Sequence, residues 1–90
     1  MDLSIIIPAF NEASNIPILI DKIKEIFSGL GYDYEIIVVD AGSRDDTLKI
    51  SKDRGAVTFI QQRPGYGSAL HEAIKKANGE YIITMDADLS

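Results

Sequence analysis

Cysteine is absent from this chain and basic residues are scarce, and both shortages exclude whole classes of function. Without cysteine the protein has no disulfides and no thiolate chemistry, which fits a cytoplasmic protein. Nine Lys and Arg stand against 14 Asp and Glu, which gives a net charge of −5. The basic residues are scattered, so no basic stripe exists to neutralise nucleic-acid phosphates or to anchor the chain on a membrane. We therefore expect no nucleic-acid partner.

The sequence also lacks a long apolar run, an internal repeat and a low-complexity segment. Because no apolar run is long enough, we expect neither a signal peptide nor a transmembrane helix in these 90 residues. Hydrophobic residues make up 46% of the chain and charged residues 26%, an ordinary composition for a globular protein. A chain of this length forms one domain and buries roughly 60–65% of its unfolded surface.

Four short apolar runs predict strands, and three segments with apolar residues at three- and four-residue spacing predict helices between them. The predicted strands are 3–7, 35–39, 57–61 and 81–85, and the predicted helices are 16–28, 44–54 and 68–78. Pro8 is expected to close the first strand, Asn15 to cap the first helix, and Ser43 with Asp46 to form a capping box for the second. Leu30 and Ile74 are expected to face inward, and Gly79 to end the third helix. The order βαβαβαβ implies an α/β fold with a parallel sheet between two helical layers.

Three polar clusters follow strands of this predicted sheet. They are Asn11-Glu12, the segment 40–46, and Asp86-Ala87-Asp88. In open α/β sheets ligands bind beyond the carboxyl ends of the strands, near the point where the strand order reverses. Because three of the four strand ends carry carboxylates, we expect a binding site along this edge.

Asp86 and Asp88 follow a strand that reads as short and buried, and residues two apart on an extended chain lie on the same side. Paired carboxylates suit a hard cation such as Mg²⁺ or Mn²⁺, which also binds the phosphates of a substrate. The simpler alternative is a turn with two solvated aspartates.

The polar residues in the loops after the first two strands can also be interpreted in two ways. Pro8, Phe10 and Glu12 either form a floor for a nucleobase or ribose, or belong to a loop that caps the following helix. Asp40 either caps its helix or accepts a hydrogen bond from the N–H of a base.

Glycines at the start of the third helix do not fit a known phosphate loop. Leu70 occupies the third glycine position of a dinucleotide fingerprint, and no Gly-Lys-Ser/Thr is present. Gly65 and Gly67 still permit close approach to a ribose or phosphate, although a flexible turn would need them equally. His71 is read as an ordinary helix residue.

Taken together, four segments resemble the N-terminal half of family-2 glycosyltransferases of GT-A fold, nearest to dolichyl-phosphate or polyprenyl-phosphate mannose (or glucose) synthases. The segments are IIIPAFNE (5–12), IVVDAGSRDDT (37–47), RPGYGSA (63–69) and MDADLS (85–90). The resemblance implies a Rossmann-like three-layer sandwich with sheet order 3-2-1-4 over residues 1–90. It differs from the family pattern at Ala41, where a second acidic residue is common, and at Ser90, where some relatives have a Gln metal ligand.

The resemblance also implies roles for individual residues. Pro8, Phe10 and Glu12 would hold the nucleoside, and Asp40 would bind the base. Asp86 would lie near the ribose or the metal, and Asp88 would coordinate the Mg²⁺ or Mn²⁺ that bridges the donor diphosphate.

The implied reaction transfers mannose or glucose from a GDP- or UDP-linked donor to a polyprenyl or dolichyl phosphate, at the cytosolic face of a membrane. The chain would be the donor-binding half, with the general base beyond Ser90, so no catalytic residue is assigned and the isolated chain is expected to be inactive. Two alternatives stay open: a nucleotide-binding module without catalysis, and a family-2 transferase that acts on a polysaccharide or another glycan. An apolar edge strand at 81–85 further predicts a homo-oligomer.

Overall fold

A computed structural model of the chain describes residues 1–87. Its elements are β1 (Leu3–Ala9), α1 (Ile16–Ser28), β2 (Tyr34–Asp40), α2 (Thr47–Asp53), β3 (Val57–Ile60), α3 (Tyr66–Lys76) and β4 (Tyr81–Thr84). Among these residues no helix has the length and apolar character needed to cross a bilayer. The predicted alternation of strands and helices is therefore confirmed, while the predicted metal ligand Asp88 lies outside the described residues.

The four strands form one parallel sheet in the order β3-β2-β1-β4, as the resemblance implied. β1 lies at the centre, where Ile6 is aligned with Ile37 of β2 on one side and with Thr84 of β4 on the other. The chain moves from β1 to β2 to β3 in one direction and then returns to the opposite edge for β4. The strand order therefore reverses at β1, which is where open α/β sheets bind their ligands.

Helices cover both faces of the sheet, and the two faces differ in their packing. The face under α1 and α2 buries Ile5, Ile7, Ala9, Ile16, Leu19, Ile20, Ile23, Ile36, Val38, Ala56 and Ala87. The face under α3 buries Ile6, Ile37, Val39, Ala69 and Ala73. Alternate residues of β1 and β2 belong to opposite faces, as a strand buried on both sides requires. Because α3 contributes alanines, the core between α3 and the sheet contains fewer and smaller buried side chains than the core on the other face.

β1 is longer than predicted, because it continues through Pro8 to Ala9. The carbonyl of Ile6 accepts a hydrogen bond from Met85 N on the β4 side, whereas the carbonyl of Ala9 accepts one from Ala41 N on the β2 side. By the two-residue alternation of a strand, Pro8 faces the β4 side. The pairing with β4 ends at Ile6, so the missing N–H of the proline leaves no ladder bond unmade.

Two predicted helix starts are wrong. α2 begins at Thr47 after Asp46, and neither Ser43 nor Asp46 caps it, because the Ser43 hydroxyl donates to Asp40 and Asp46 makes no capping bond. α3 begins at Tyr66 rather than Ser68, which makes Gly65 the residue before the helix and places Gly67 in its first turn.

Gly79 does not end α3 either, since the helix stops at Lys76 and Ala77 is already extended. A Cβ atom on Gly79 would lie 2.5 Å from the Leu3 carbonyl carbon and from Ser4 N. The glycine is required because the chain passes this close to the start of β1.

Three apolar features are more exposed than predicted. The apolar pattern of β4 predicted a buried strand, but β4 is the exposed edge strand that the resemblance implied, with Tyr81 70% and Ile82 40% accessible. Leu30 lies beyond the end of α1 and is 55% accessible, and Ile74 on α3 is 48% accessible. α3 packs on the sheet through Ala69 and Ala73, and Ile74 lies outside this buried face of the helix.

Hydrogen bonds between polar groups join the start of β1, the start of β2 and residues 78–79, at the amino ends of the strands. The buried Ser4 Oγ donates to Glu35 Oε2 at 2.6 Å and accepts from Gly79 N at 2.8 Å. Glu35 Oε2 also accepts from Asn78 N at 2.7 Å. Burial raises the pKa of Glu35, but these hydrogen bonds together outweigh it and hold the pKa below its ordinary value of 4.5.

Candidate functional site

A cleft of about 530 Å³ opens at the carboxyl ends of the strands, beside the start of α3. Its lining residues come from all four strand ends and from α3: Pro8, Ala9, Phe10, Glu12, Ala41, Gln61, Gly65, Tyr66, Ala69, Asp86 and Ala87. The cleft thus lies beside the strand-order reversal at β1, the position expected for a ligand site in this architecture. Its volume is within the range of small-molecule sites, which runs from roughly 300 to 1,000 Å³.

The structure brings together five of the predicted site residues and separates the others. Pro8, Phe10, Glu12, Gly65 and Asp86 all line the cleft. The remaining three predicted residues are placed differently: Asp40 is buried below the loop after β2, Gly67 lies in a second hollow, and Asp88 is outside the described residues.

Two exposed aromatic rings distinguish the cleft from an ordinary surface groove. Phe10 is 55% accessible and Tyr66 is 58% accessible, and both line the cleft. Exposed aromatic faces in a concave site are suited to stacking against a planar ring such as a nucleobase. Sequence reasoning found Phe10 but missed Tyr66 and Gln61. An aromatic residue between two glycines at a helix start was the available signal for Tyr66.

The loop after β1 is attached to the loop after β2 by side-chain hydrogen bonds, and we call this set the two-loop network. Asn11 N donates to Ser43 Oγ at 2.7 Å, and Arg44 N donates to Asn11 Oδ1 at 2.8 Å. Glu12 N donates to the buried Thr47 Oγ1 at 2.9 Å. These bonds hold a backbone in which Asn11 has a φ of 52°, a conformation that few residues other than glycine adopt.

Asp45 completes the two-loop network. Its carboxylate accepts from Ala13 N at 3.1 Å and Thr47 N at 3.0 Å, and also from the Thr47 hydroxyl. The Thr47 hydroxyl makes the largest contribution to lowering the pKa of Asp45, and the two backbone N–H groups add to it. Asp45 is therefore held as a carboxylate that accepts hydrogen bonds from both loops.

Asp40 is the most buried carboxylate of the region, with 1% of its surface accessible. Its Oδ2 accepts from Gly42 N at 2.9 Å and Ser43 N at 2.7 Å, and its Oδ1 accepts from the Ser43 hydroxyl. The side chain thus shapes the turn at 41–43, and it does not line the cleft.

Glu12 is half-buried at the cleft, where Asn15 Nδ2 donates to its Oε2 at 3.1 Å. Asn15 precedes α1 as predicted, but its side chain makes no capping bond. The carbonyl of Glu12 instead accepts from Asn15 N and Ile16 N, which starts the helix from the loop backbone. One carboxylate oxygen of Glu12, Oε1, is not used in these contacts.

The opposite wall of the cleft is fixed at the start of α3. Gly65 has a φ of 102°, and Gln61 Nε2 donates to the carbonyls of Arg63 at 2.7 Å and Gly65 at 3.3 Å. Glu72 accepts from Gln62 N at 2.7 Å and Arg63 N at 3.1 Å, and the first of these contacts is the main cause of its lowered pKa. The second hollow, which Gly67 and His71 line, lies on the other side of this loop.

Comparison with known proteins agrees with this architecture. The model of the family described as "Glycosyl transferase family 2" matches residues 4–90, which is nearly the whole chain. This chain belongs to glycosyl transferase family 2.

Curated relatives of this family-2 chain include two bacterial proteins. CsbB of Bacillus subtilis (strain 168) is 39% identical over 93 residues. The undecaprenyl-phosphate 4-deoxy-4-formamido-L-arabinose transferase of Pseudomonas fluorescens (strain SBW25) is 33% identical over 94 residues. Each match covers 97% of this chain but only 28% of the relative, so the chain spans little more than a quarter of either protein.

A solved enzyme has the same fold. Glucosyl-3-phosphoglycerate synthase from Mycobacterium tuberculosis, in complex with UDP, superimposes with a TM-score of 0.85 at 33% identity. That match covers 99% of this chain and 34% of the synthase. The synthase has also been solved with Mn²⁺, UDP-glucose and phosphoglyceric acid.

Within residues 1–87 this family-2 chain has no cluster of three or more His, Cys, Asp or Glu that could hold an ion. Mg²⁺ and Mn²⁺ sites in nucleotide enzymes often use one or two carboxylates, with the substrate phosphates as further ligands. The exposed Asp86, on the cleft wall, fits such a site.

Proposed function

We propose that this protein is a glycosyltransferase whose cleft binds the nucleoside diphosphate of a sugar donor. The observation that supports it best is the cleft itself, which combines two exposed aromatic rings with the Asp86 carboxylate at the strand-order reversal. Aromatic faces suit the base, and a carboxylate beside a diphosphate needs a cation between them. The family membership of the chain supports the same chemistry.

Six of the lining residues have a role in this proposal. Phe10 and Tyr66 contact the base, Pro8 fixes the end of β1, and the unused oxygen of Glu12 accepts from a ribose hydroxyl. Gly65 lets the donor approach the start of α3 closely, because it has no side chain. Asp86, with Asp88 as a second ligand, holds Mg²⁺ or Mn²⁺. The bound cation would offset the negative charge that develops on the leaving diphosphate.

For the donor we propose a UDP-linked sugar, and glucose or mannose as the sugar. A solved relative contains UDP-glucose and Mn²⁺, which supports UDP over GDP. For the acceptor we propose a polyprenyl phosphate at the cytosolic face of a membrane. The curated relative from Pseudomonas is named as an undecaprenyl-phosphate transferase, which supports this class of acceptor.

Calorimetric titration of the chain with UDP tests the metal and donor proposals together. We expect UDP to bind more tightly than GDP in Mn²⁺, and to lose affinity in EDTA. Asp86→Asn should lower the Mn²⁺-dependent affinity about tenfold or more, because it removes a charged ligand. Asp53→Asn is the matched control, since Asp53 is exposed at the end of α2 and does not line the cleft.

Equal UDP affinity in Mn²⁺ and in EDTA would contradict the metal proposal. Uridine binding that persists in EDTA would show that the cleft still holds the nucleoside. Absence of binding by UDP, GDP and their sugars under every condition would overturn the donor proposal itself.

We also propose that the outer edge of β4 pairs with a second copy of the chain. Within residues 1–87, β4 is paired only with β1, and Tyr81 and Ile82 are exposed along it. An exposed apolar edge is a template for another strand, and antiparallel pairing about a two-fold axis is the simplest arrangement. Light scattering should show a dimer that Ile82→Lys disrupts, whereas Ile18→Lys, at an exposed position of α1, should leave it intact. A monomer at high concentration would contradict the proposal.

A further inference from the structure

The side chains that form the two-loop network, those of Asn11, Ser43, Asp45 and Thr47, do not line the cleft. Asn11 lies between the two cleft residues Phe10 and Glu12, yet it is absent from the cleft wall. Its partners Ser43 and Thr47 are likewise outside the cleft. The network therefore fixes the backbone on which two of the lining side chains stand.

We propose that Asn11, Ser43 and Thr47 are positioning residues that hold Phe10 and Glu12 in place, and that Asp40 acts through Ser43 without contacting the ligand. This inference rests on the proposed function, because the ligand is the nucleoside diphosphate proposed for the cleft. It assigns Asp40 a different role from the base contact that the sequence resemblance implied.

The first reason is the conformation of Asn11. A φ of 52° is unfavourable for a residue with a side chain, although Asn tolerates it better than most residues. Here it is held by one bond to Ser43 Oγ and one from Arg44 N. Without these bonds the segment 10–12 would relax toward more favourable angles, and both neighbouring side chains would move.

The second reason is that the hydroxyl of Thr47 serves both loops at once. It accepts from Glu12 N at 2.9 Å and donates to Asp45, and the residue is fully buried. A partly buried N–H that loses its partner also loses stability, so removal of this hydroxyl would let the Glu12 backbone turn toward solvent.

The third reason concerns Asp40. Its two oxygens already accept three hydrogen bonds from residues 42 and 43, and 1% of its surface is accessible. A base could reach it only if the turn opened. The contacts instead run from Asp40 to the Ser43 hydroxyl, and from that hydroxyl to Asn11 N.

Thr47→Val is the most direct test, because valine has nearly the same shape and lacks only the hydroxyl. In Mn²⁺ we expect its UDP affinity to fall about fivefold to tenfold. Thr47→Ser keeps the hydroxyl and should restore most of the affinity. The matched control is Ser51→Ala, which removes another buried hydroxyl of α2, one that donates to the Thr47 carbonyl at 2.7 Å.

Amide hydrogen exchange measures the positioning without any ligand. Thr47→Val should speed the exchange of Glu12 N–H, whereas Ser51→Ala should leave it close to the wild-type rate. A general loss of stability would move both variants together, so this readout separates positioning from stability. Equal exchange at Glu12 in all variants would overturn the role of Thr47.

A double-mutant cycle tests whether Asp40 acts through Ser43. If it does, Asp40→Asn should weaken UDP binding much less in a Ser43→Ala background than in the wild type. Direct contact with the base would instead give the same loss in both backgrounds, and would overturn this part of the proposal. Hydrogen exchange at Asn11 N–H repeats the test without ligand, since both single variants should speed it.

Failure of this inference can be distinguished from failure of the proposed function. If wild-type protein binds UDP but Thr47→Val binds equally well, the positioning role is wrong and the donor site stands. If wild-type protein binds no nucleotide while Thr47→Val still exposes Glu12 N–H, the network is real and the proposed ligand is wrong.

Discussion

At the residue scale, Glu35 shows how hydrogen bonds can lower the pKa of a half-buried carboxylate. It accepts from Ser4 Oγ and Asn78 N, and its pKa is lower in the folded chain than the ordinary 4.5. A lowered folded pKa means that ionised Glu35 stabilises the fold above the unfolded pKa. That contribution is lost as the pH falls through the folded value.

We predict that Glu35→Gln is less stable than wild type at pH 7, and that the difference shrinks as the pH falls from 7 to well below 4.5. The glutamine keeps an acceptor but loses the charge that strengthens these bonds. Urea unfolding across this range measures the difference. Glu25→Gln on the exposed side of α1 is the control, and an unchanged gap for Glu35→Gln at low pH would contradict the prediction.

Individual polar residues were also where sequence reasoning was least complete. Ser43 has the spacing of a helix cap, yet its hydroxyl lies between Asp40 and Asn11. Asp40 lies at a strand end, as a ligand-binding carboxylate would, but it accepts hydrogen bonds from Gly42 N and Ser43 N of the turn that follows it. The Asp40 contacts are local, two and three residues along the chain, whereas the bond from Asn11 to Ser43 joins loops 32 residues apart, which a sequence pattern does not record.

At the scale of elements, the start of α3 connects local backbone geometry to the cleft. Gly65 precedes the helix with a φ of 102° and lines the cleft, and Gln61 donates to its carbonyl. The sequence located this helix but placed its start two residues late. Propensity alone did not favour a start at Tyr66, because the next residue is the glycine at 67. In the structure the Gly65 carbonyl accepts the first helical hydrogen bond, from Ala69 N, and Glu72 accepts from Gln62 N and Arg63 N of the preceding loop.

We predict that Gly65→Ala weakens UDP binding, because alanine strains the positive φ and shifts the start of α3. Gly31→Ala is a matched control, since Gly31 also has a positive φ, of 75°, and has no atom within 4 Å of an added Cβ. Both variants should lose about 1 kcal/mol or more of stability, while only Gly65→Ala changes the UDP affinity. Thermal unfolding and calorimetry measure the two effects, and a loss of affinity in both variants would contradict the assignment to the cleft.

At the scale of the whole molecule, the sequence predicted the topology well because few arrangements fit its order of elements. Alternating strands and helices require a parallel sheet with right-handed crossovers, and the resemblance supplied the order 3-2-1-4 that the structure has. Exposure was harder to predict. The apolar pattern of Tyr81 and Ile82 reads as buried, and only the position of β4 at the edge shows that it is not.

Pro8 has a further consequence for the chain while it is being synthesised. β1 is synthesised before the other strands. Ile6 pairs with Ile37 of β2 on one edge and with Thr84 of β4 on the other, so the partner for the β2 edge is synthesised well before the partner for the β4 edge. During this interval the β4 edge of β1 has unpaired backbone groups that can bind any extended segment nearby, including a neighbouring nascent chain. The proline removes one donor from that edge. Pro8, which forms part of the cleft wall, therefore also shortens the strand edge through which two nascent chains on one messenger RNA could pair.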